Sequence, residues 1–430
     1  MLIHLLRDPD KFSHMNTKIK NNNIVNKLNA VYLHALKHGK FYKKLYRGCP
    51  NNLLTLKDFH SLPFLSKKEL QSVKLEDRLC VDMKQIREVH YSSGTTAYPI
   101  IAAYTSTDLK NSRKHLSQTW KMQGVKEGTR FAMMASYGLF SAGLINHYAI
   151  QQAGGFIIPI SSANLDKIIK VISELNPESG AAVSSFYLFF LEKLRIAGID
   201  PRKIGFKNLI AGGEYLSESQ RKYIEQKFNT KVLFQYGLAE IDTGIAGECS
   251  HQNGMHFLDD YVYAEIVDPE TNKLLPPEAE GELVLSHLMR EATPLLRYRT
   301  GDITRILHGK CSCGLTSTRI APIKRRATIS ISYKGVNLDQ DEFELILEKT
   351  KAMRSFHPHI WQLRFTNIDA LHKLELKVLI VNESKANLQI LSAEIKNYTG
   401  INMKVSVFSK DELSKLCEGK LKKIILVQKR

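Results

Sequence analysis

Between about residue 90 and residue 320, short apolar runs alternate with amphipathic helical stretches. That alternation restricts the fold more than any other feature of the chain. The runs RFAMMAS (130–136), GFIIPI (155–160), NLIAGG (208–213) and KVLFQYG (231–237) read as strands. DKIIKVISEL (166–175) and SESQRKYIEQKF (217–228) read as helices, with apolar residues at three- and four-residue steps. Strand and helix taking turns predicts an α/β layer structure. After residue 255 the pattern turns to β structure. HFLDDYVYAEIVDPETNKLLP reads as strand, turn, strand, and GELVLSHL and PLLRYRTGDITRIL continue it as a small β subdomain. From about 328 onward the reading is a separate α+β unit. ATISISYKG, LRFTN, HKLELKVLIV, NMKVSVFS and LKKIILVQ are strands, LDQDEFELILEK is a helix, and LQILSAEIKNYTG is a helix stopped at Gly400. Residues 1 to about 80 are helical and basic, and Ser66 is placed to cap a short helix in LSKKEL. The expected organisation is a large N-terminal α/β domain over 1–327 and a small, mobile α+β domain over 328–430.

A chain of 430 residues suits one large and one smaller core. No run of eighteen or more apolar residues marks a membrane span, and MLIHLLRDPDKF turns polar too soon for a secretory signal, so the expected location is cytoplasmic. Lys and Arg exceed Asp and Glu by 61 to 43, a formal charge of +18. Such an excess attracts anions: nucleotides, CoA or an acidic carrier protein. No helix-turn-helix, RNA-binding or zinc-finger signature accompanies the charge, so nucleic acid is not the expected partner. Homodimerisation is left open.

Several short segments carry chemistry. In YSSGTTAYP (91–99), Ser92, Ser93, Thr95 and Thr96 surround Gly94. Small hydroxyl residues around a glycine leave amides and hydroxyls free to donate to phosphate oxygens. Such runs are also common in surface turns, and no Gly-Lys-Ser/Thr follows, so this is not the common P-loop. AGGEYLSES (211–219), FQYGLAEID (234–242), YRTGD (298–302), KRRATISI (324–331) and EGKLKKIILVQKR (418–430) come in order along the chain. Separately, Cys249, His256, Cys311 and Cys313 offer three thiolates and an imidazole, a standard structural set for tetrahedral zinc; His251 is the alternative fourth ligand.

Taken together, these segments resemble the phenylacetate–CoA ligases of the adenylate-forming superfamily. The resemblance runs over nearly the whole chain. It implies a large adenylate-forming domain plus a small C-terminal domain, and an ATP-dependent activation of an aryl or arylacetic acid. The acyl-adenylate would then pass its acyl group to CoA or to the phosphopantetheine of an acyl carrier protein. A nucleotide-binding protein without turnover is the remaining alternative. By the resemblance, Ser92, Ser93, Gly94, Thr95 and Thr96 hold phosphate, with Ala97 and Tyr98 in place of the family's Gly-Lys. Tyr137, Phe140 and Phe234 line the acid pocket. Gly212, Gly213 and Glu214 lie beside adenine, and Tyr236 and Gly237 belong to the motif that stacks on it. Glu240 holds Mg²⁺, and Ala239 replaces a Thr beside the α-phosphate. Asp302 accepts the ribose hydroxyls and Arg326 contacts the nucleotide. Thr328 and Ile329 replace the family's two hinge acids, Lys334 replaces an Arg, and Gly335 lies near the thiol tunnel. Lys420 bridges the attacking carboxylate and the α-phosphate. The implied cofactors are ATP, Mg²⁺, CoA or phosphopantetheine, and structural Zn²⁺.

Overall fold

The computed structural model describes residues 17–92, 100–138, 140–160, 165–323, 325–326, 330–333, 336–368, 371–383, 385–399, 401–409, 411–413, 416 and 424–428. The alternating region forms strands β1 (Ile86–Tyr91), β2 (Ile101–Thr105), β3 (Arg130–Met133), β4 (Phe156–Pro159), β5 (Ser179–Ala182), β6 (Asn208–Gly212), β7 (Lys231–Leu238), β8 (Asp242–Glu248) and β9 (Met255–Phe257). Helix α1 (Thr17–His38) precedes them. Between them lie α2 (Ser106–Met122), α3 (Ser141–Gln152), α4 (Leu165–Leu175), α5 (Ser184–Ile196) and α6 (Glu218–Phe228). Two of these helices begin with reciprocal caps: Thr105 with Asp108 for α2, and Ser217 with Gln220 for α6. The cap expected at Ser66 is present too, closed by Glu69.

The next strands are β10 (Val262–Val267), β11 (Gly281–His287), β12 (Tyr298–Thr304), β13 (Ile306–Leu307), β14 (Arg319–Ile320) and β15 (Arg325–Arg326). The main sheet has nine strands in the order β13-β14-β9-β8-β7-β6-β5-β3-β4. From β4 through β7 it is parallel, and from β7 onward it is antiparallel. The parallel half reverses its strand order between β3 and β5, because the chain steps outward to β4 before returning. Ligands of open α/β sheets bind outside the carboxyl ends of the strands at such a reversal. Strands β10-β11-β12-β15 form the expected β subdomain as a separate four-stranded antiparallel sheet.

Two apolar cores cover the main sheet. One contains Trp120, Phe131, Ile145, Tyr236, Phe257 and Tyr298; the other contains Phe186, Tyr187, Phe190, Phe206 and Phe228. Burying an aliphatic or aromatic side chain of this size contributes about 1.5–3 kcal/mol.

The remaining chain forms β16 (Ser330–Tyr333), β17 (Val336–Asp339), α7 (Gln340–Lys349), β18 (Phe356–Ile368), β19 (Leu371–Ile380), α8 (Leu388–Thr399), β20 (Lys404–Val407) and β21 (Ile424–Gln428). Strands β20-β19-β18-β21 make a mixed sheet over a third core around Phe343, Trp361 and Leu391. Helix α8 ends at Thr399; Gly400 lies outside the described residues. Ile360 and Phe408 of this unit pack into the core of the preceding one, and Gln220 of α6 donates to Glu344 of α7 at 3.1 Å.

Candidate active site

Two of the expected nucleotide residues, Tyr236 and Asp302, meet where the main sheet adjoins the β subdomain. Tyr236, near the end of β7, is buried, and its hydroxyl donates to Oδ2 of the buried Asp302 on β12 at 2.7 Å. One hydrogen bond therefore joins the two sheets and fixes a carboxylate beside an aromatic ring. The Asp302 backbone is held in turn: its N–H donates to Thr300 Oγ1 at 3.0 Å, and its Cα pairs in register with Arg326.

Gly212 ends β6, next to β7, and Gly213 follows it. Gly213 has φ +73°, a left-handed conformation that β-carbon residues resist. The chain can then turn sharply past the strand end and carry Glu214 across to α5, where its Oε2 accepts from the Ser185 amide at 2.9 Å. Glu214 does not open the following helix, since Ser217 caps α6. Instead it satisfies one of the orphan amides in the first turn of α5.

Glu240 is buried in the tight turn between β7 and β8. Gly237 makes this turn possible. A Cβ there would stand 2.6 Å from the Asp242 carbonyl oxygen, the Gly244 nitrogen and the Thr243 Cα. The Ile241 carbonyl, one residue past Glu240, accepts from His287 Nε2 at 2.9 Å and from Arg290 Nη2 at 2.6 Å. His287 Nδ1 accepts from the Leu295 amide at 2.9 Å, which fixes the proton on Nε2; burial, with Arg290 nearby, keeps the ring neutral. None of these supporting residues was legible as such in the sequence. The only signal was charge in HLMREATP just ahead of YRTGD.

Tyr137 lies in the loop after β3, at the reversal of strand order, and packs against the first core. Its hydroxyl is 3.0 Å from His147 Nδ1 on α3, and the rings meet edge-on at 5.7 Å. Burial pushes the Tyr137 hydroxyl up and His147 below its ordinary value. His147 is a second residue the sequence did not signal. Phe140 is the N-cap of α3 and 43% exposed. Phe234, half-buried on β7, packs between the two main cores.

Ser92 stands at the neck of the loop expected to hold phosphate. Its amide donates to the Ile100 carbonyl at 2.9 Å and its Oγ accepts from the Ile100 amide at 3.0 Å. This pair closes the end of the β1–β2 hairpin. Ser93, Gly94, Thr95, Thr96, Ala97 and Tyr98 lie outside the described residues, as do Thr328, Ile329, Lys334, Gly335 and Lys420.

At the far edge of the main sheet, Cys249, His256, Cys311 and Cys313 come together, all four donor atoms lying within 4.8 Å of one another. Cys249 and Cys311 sulfurs are 3.7 Å apart, and Cys313 Sγ is 3.4 Å from His256 Nε2. A tetrahedron with Zn–S of about 2.3 Å and Zn–N of about 2.0 Å has edges of about 3.5–3.8 Å. His256 Nδ1 is 3.0 Å from Ser317 Oγ, leaving Nε2 toward the sulfurs. His251 is outside the set of four.

A parallel sheet with its strand-order reversal beside Tyr137, and a buried Tyr236–Asp302 pair joining it to the next sheet, is a frame of the kind that binds ligands at strand ends. The family model for AMP-binding enzymes matches residues 44–289. Phenylacetate–CoA ligase of Pseudomonas putida is 30% identical over 397 residues, covering 90% of this chain and 89% of that protein. The Thermus thermophilus enzyme of the same name is 28% identical, covering 90% and 92%. Among solved structures, 2-hydroxyisobutyryl-CoA ligase in its postadenylation state superposes with a TM-score of 0.83 at 20% identity, covering 96% of this chain and 90% of that one. The same ligase in its thioesterification state gives 0.72 at 21% identity, covering 96% and 91%. The chain belongs to the AMP-binding enzyme family and, within it, to the phenylacetate–CoA ligase-like, AMP-forming acid–thiol ligases. Its activity is that family's: a carboxylic acid and ATP give an acyl-adenylate, and the acyl group passes to CoA. Among the described residues, no helix is long and apolar enough to cross a membrane.

Proposed function

We propose that the acid is an aryl or arylacetic acid and that the acceptor is CoA rather than a carrier protein. The observation that carries this reading is the half-buried Tyr137–His147 pair beside the strand-order reversal, two aromatic rings held edge-on at 5.7 Å. A flat apolar acyl group gains burial there without stranding a charge. The phenylacetate–CoA ligases it matches point the same way.

In the mechanism, adenine lies beside Gly212, Gly213 and Glu214, with the Tyr236 ring against it. Asp302 accepts from the ribose hydroxyls. The 92–96 loop holds phosphate and Arg326 contacts the nucleotide. Glu240 would hold Mg²⁺, whose charge offsets that on the phosphates, and its buried carboxylate at a backbone-fixed turn suits that ligand. The carboxylate attacks the α-phosphate in line. Lys420 steadies the negative charge while pyrophosphate leaves. Ala239 offers no hydroxyl to the α-phosphate, which lowers stabilisation by about 0.5–3 kcal/mol relative to a Thr. The unit over 328–430 then turns about a hinge at Thr328, bringing the thiol in past Gly335. Cys249, His256, Cys311 and Cys313 would hold a structural zinc, since three thiolates and an imidazole are a four-donor set suited to that role.

The test is thioester formation with CoA over a panel of aryl, arylacetic and short aliphatic acids. The reading predicts kcat/KM at least about tenfold higher for the aromatic acids, about 1.4 kcal/mol of transition-state discrimination. A preference for short aliphatic acids, or acylation of a carrier protein but not CoA, would overturn it.

A further inference from the structure

We infer that Arg290 is a positioning residue for adenylation: the segment 290–293 clamps the turn that carries Glu240 to the hairpin that presents the phosphate loop. The inference rests on the reading of Glu240 as the Mg²⁺ ligand.

Neither the β7–β8 turn nor the β1–β2 hairpin is fixed by its own hydrogen bonds alone. The segment after β11 lies between them and holds both. On one side, Arg290 Nη2 donates to the Ile241 carbonyl at 2.6 Å and stands 3.6 Å from Asp242 Oδ2. Asp242 is fully buried, and its Oδ2 also accepts from Ser112 Oγ at 2.7 Å and Tyr261 hydroxyl at 2.8 Å. The two residues following Glu240 are thus tied through backbone and carboxylate to one guanidinium. On the other side, the Arg290 guanidinium carbon lies 3.9 Å from the centre of the Tyr104 ring, on β2. Thr105 Oγ1 donates to Glu291 Oε2 at 2.8 Å, and the Ala103 amide donates to Thr293 Oγ1 at 3.3 Å. Three consecutive residues of β2 are gripped by the segment that grips the turn. Strand β2 begins just beyond the Ser92–Ile100 neck.

The chemistry gives this coupling a purpose. In-line transfer at the α-phosphate needs the metal ligand and the phosphate-binding loop at a fixed separation, and a misplacement of about 1 Å reduces rate by about 10²-fold. A guanidinium serves here because it is planar: one edge reaches a carbonyl and a carboxylate while one face covers a ring. Lysine keeps the charge but not both contacts.

The test compares Arg290→Lys, Arg290→Met and Glu240→Gln with the parent in the two half-reactions separately. Acyl-adenylate formation is followed as a function of Mg²⁺, and thioester formation is started from supplied acyl-adenylate and CoA. The clamp predicts that adenylation slows by about 100-fold in Arg290→Met and about tenfold in Arg290→Lys, with the Mg²⁺ requirement rising about tenfold. The thioester half-reaction and the KM for the acid stay within about twofold, a readout that also reports a folded protein. If Arg290→Met does not fold, Arg290→Lys carries the comparison. Parent-like adenylation in the Arg290 variants, or an equal fall in both half-reactions, overturns the inference. Should Glu240→Gln raise the Mg²⁺ requirement while the Arg290 variants do not, the clamp alone is wrong. Should Glu240→Gln leave it unchanged, the metal assignment is wrong and the clamp falls with it.

Discussion

The hydroxyl of Tyr236 is a single atom that joins two sheets, and its partner Asp302 is the carboxylate proposed for ribose. Tyr236→Phe keeps the ring and removes only that donor. A hydrogen bond to a charged group contributes about 1.5–3 kcal/mol, so the KM for ATP is expected to rise by about tenfold or more while the KM for the acid stays put. Steady-state kinetics with each substrate varied in turn checks this. Gly237→Ala tests the neighbouring constraint. Its methyl would meet backbone atoms at 2.6 Å that no rotamer change can clear. We expect a loss of about 1–3 kcal/mol in stability, read by denaturant unfolding, and a larger fall in adenylation than in thioester formation, because the displaced turn carries Glu240. Tyr236 and Asp302 were legible in the sequence because each sits in a contiguous motif. Arg290, His287 and His147 were not. Arg290 and His287 meet Ile241 from 49 and 46 residues away, and no short pattern records such a meeting.

At the scale of elements, the strands and helices followed from periodicity and caps. The runs at 130, 155, 208 and 231 all became strands of one sheet, and Ser66 caps the helix it was expected to cap. Strand order was hidden. Nothing in β3 or β5 indicates that they are neighbours, yet that pairing creates the reversal beside which Tyr137 lies. The cysteine cluster is intermediate: its members were visible, but choosing His256 over His251 required strands β9 and β14 to bring residue 256 beside residues 311–313. This cluster ties the loop after β8 to the loop before β14, with no strand hydrogen bond between those loops themselves. A zinc held there would act as a staple, so its removal is expected to cost stability before activity. Elemental analysis should give one zinc per chain. Stripping it with a strong chelator, or Cys311→Ser, should lower the melting temperature by about 5 °C or more while leaving adenylation within about threefold. A metal content near zero in protein made with zinc present would contradict the assignment.

The whole molecule places its chemistry at seams. Tyr236 and Asp302 meet across two sheets, and Ile360, Phe408 and Glu344 meet the larger body across another boundary. That there are two such units was readable from the change in pattern along the chain. How they pack was not, since Ile360 lies within a strand whose neighbours serve its own core. The +18 charge belongs to this scale as well: it favours capture of ATP, CoA and the acid, all anions, and its effect weakens with salt. The central claim is that the assembled seams make an acyl-adenylate. ATP–pyrophosphate exchange over a panel of carboxylic acids tests it most directly. Exchange is expected to depend on the acid, to be strongest with aromatic acids, and to fall by at least about 100-fold in Asp302→Ala and Lys420→Ala. Absence of exchange with every acid despite measurable ATP binding, or exchange that survives in Asp302→Ala, would contradict it.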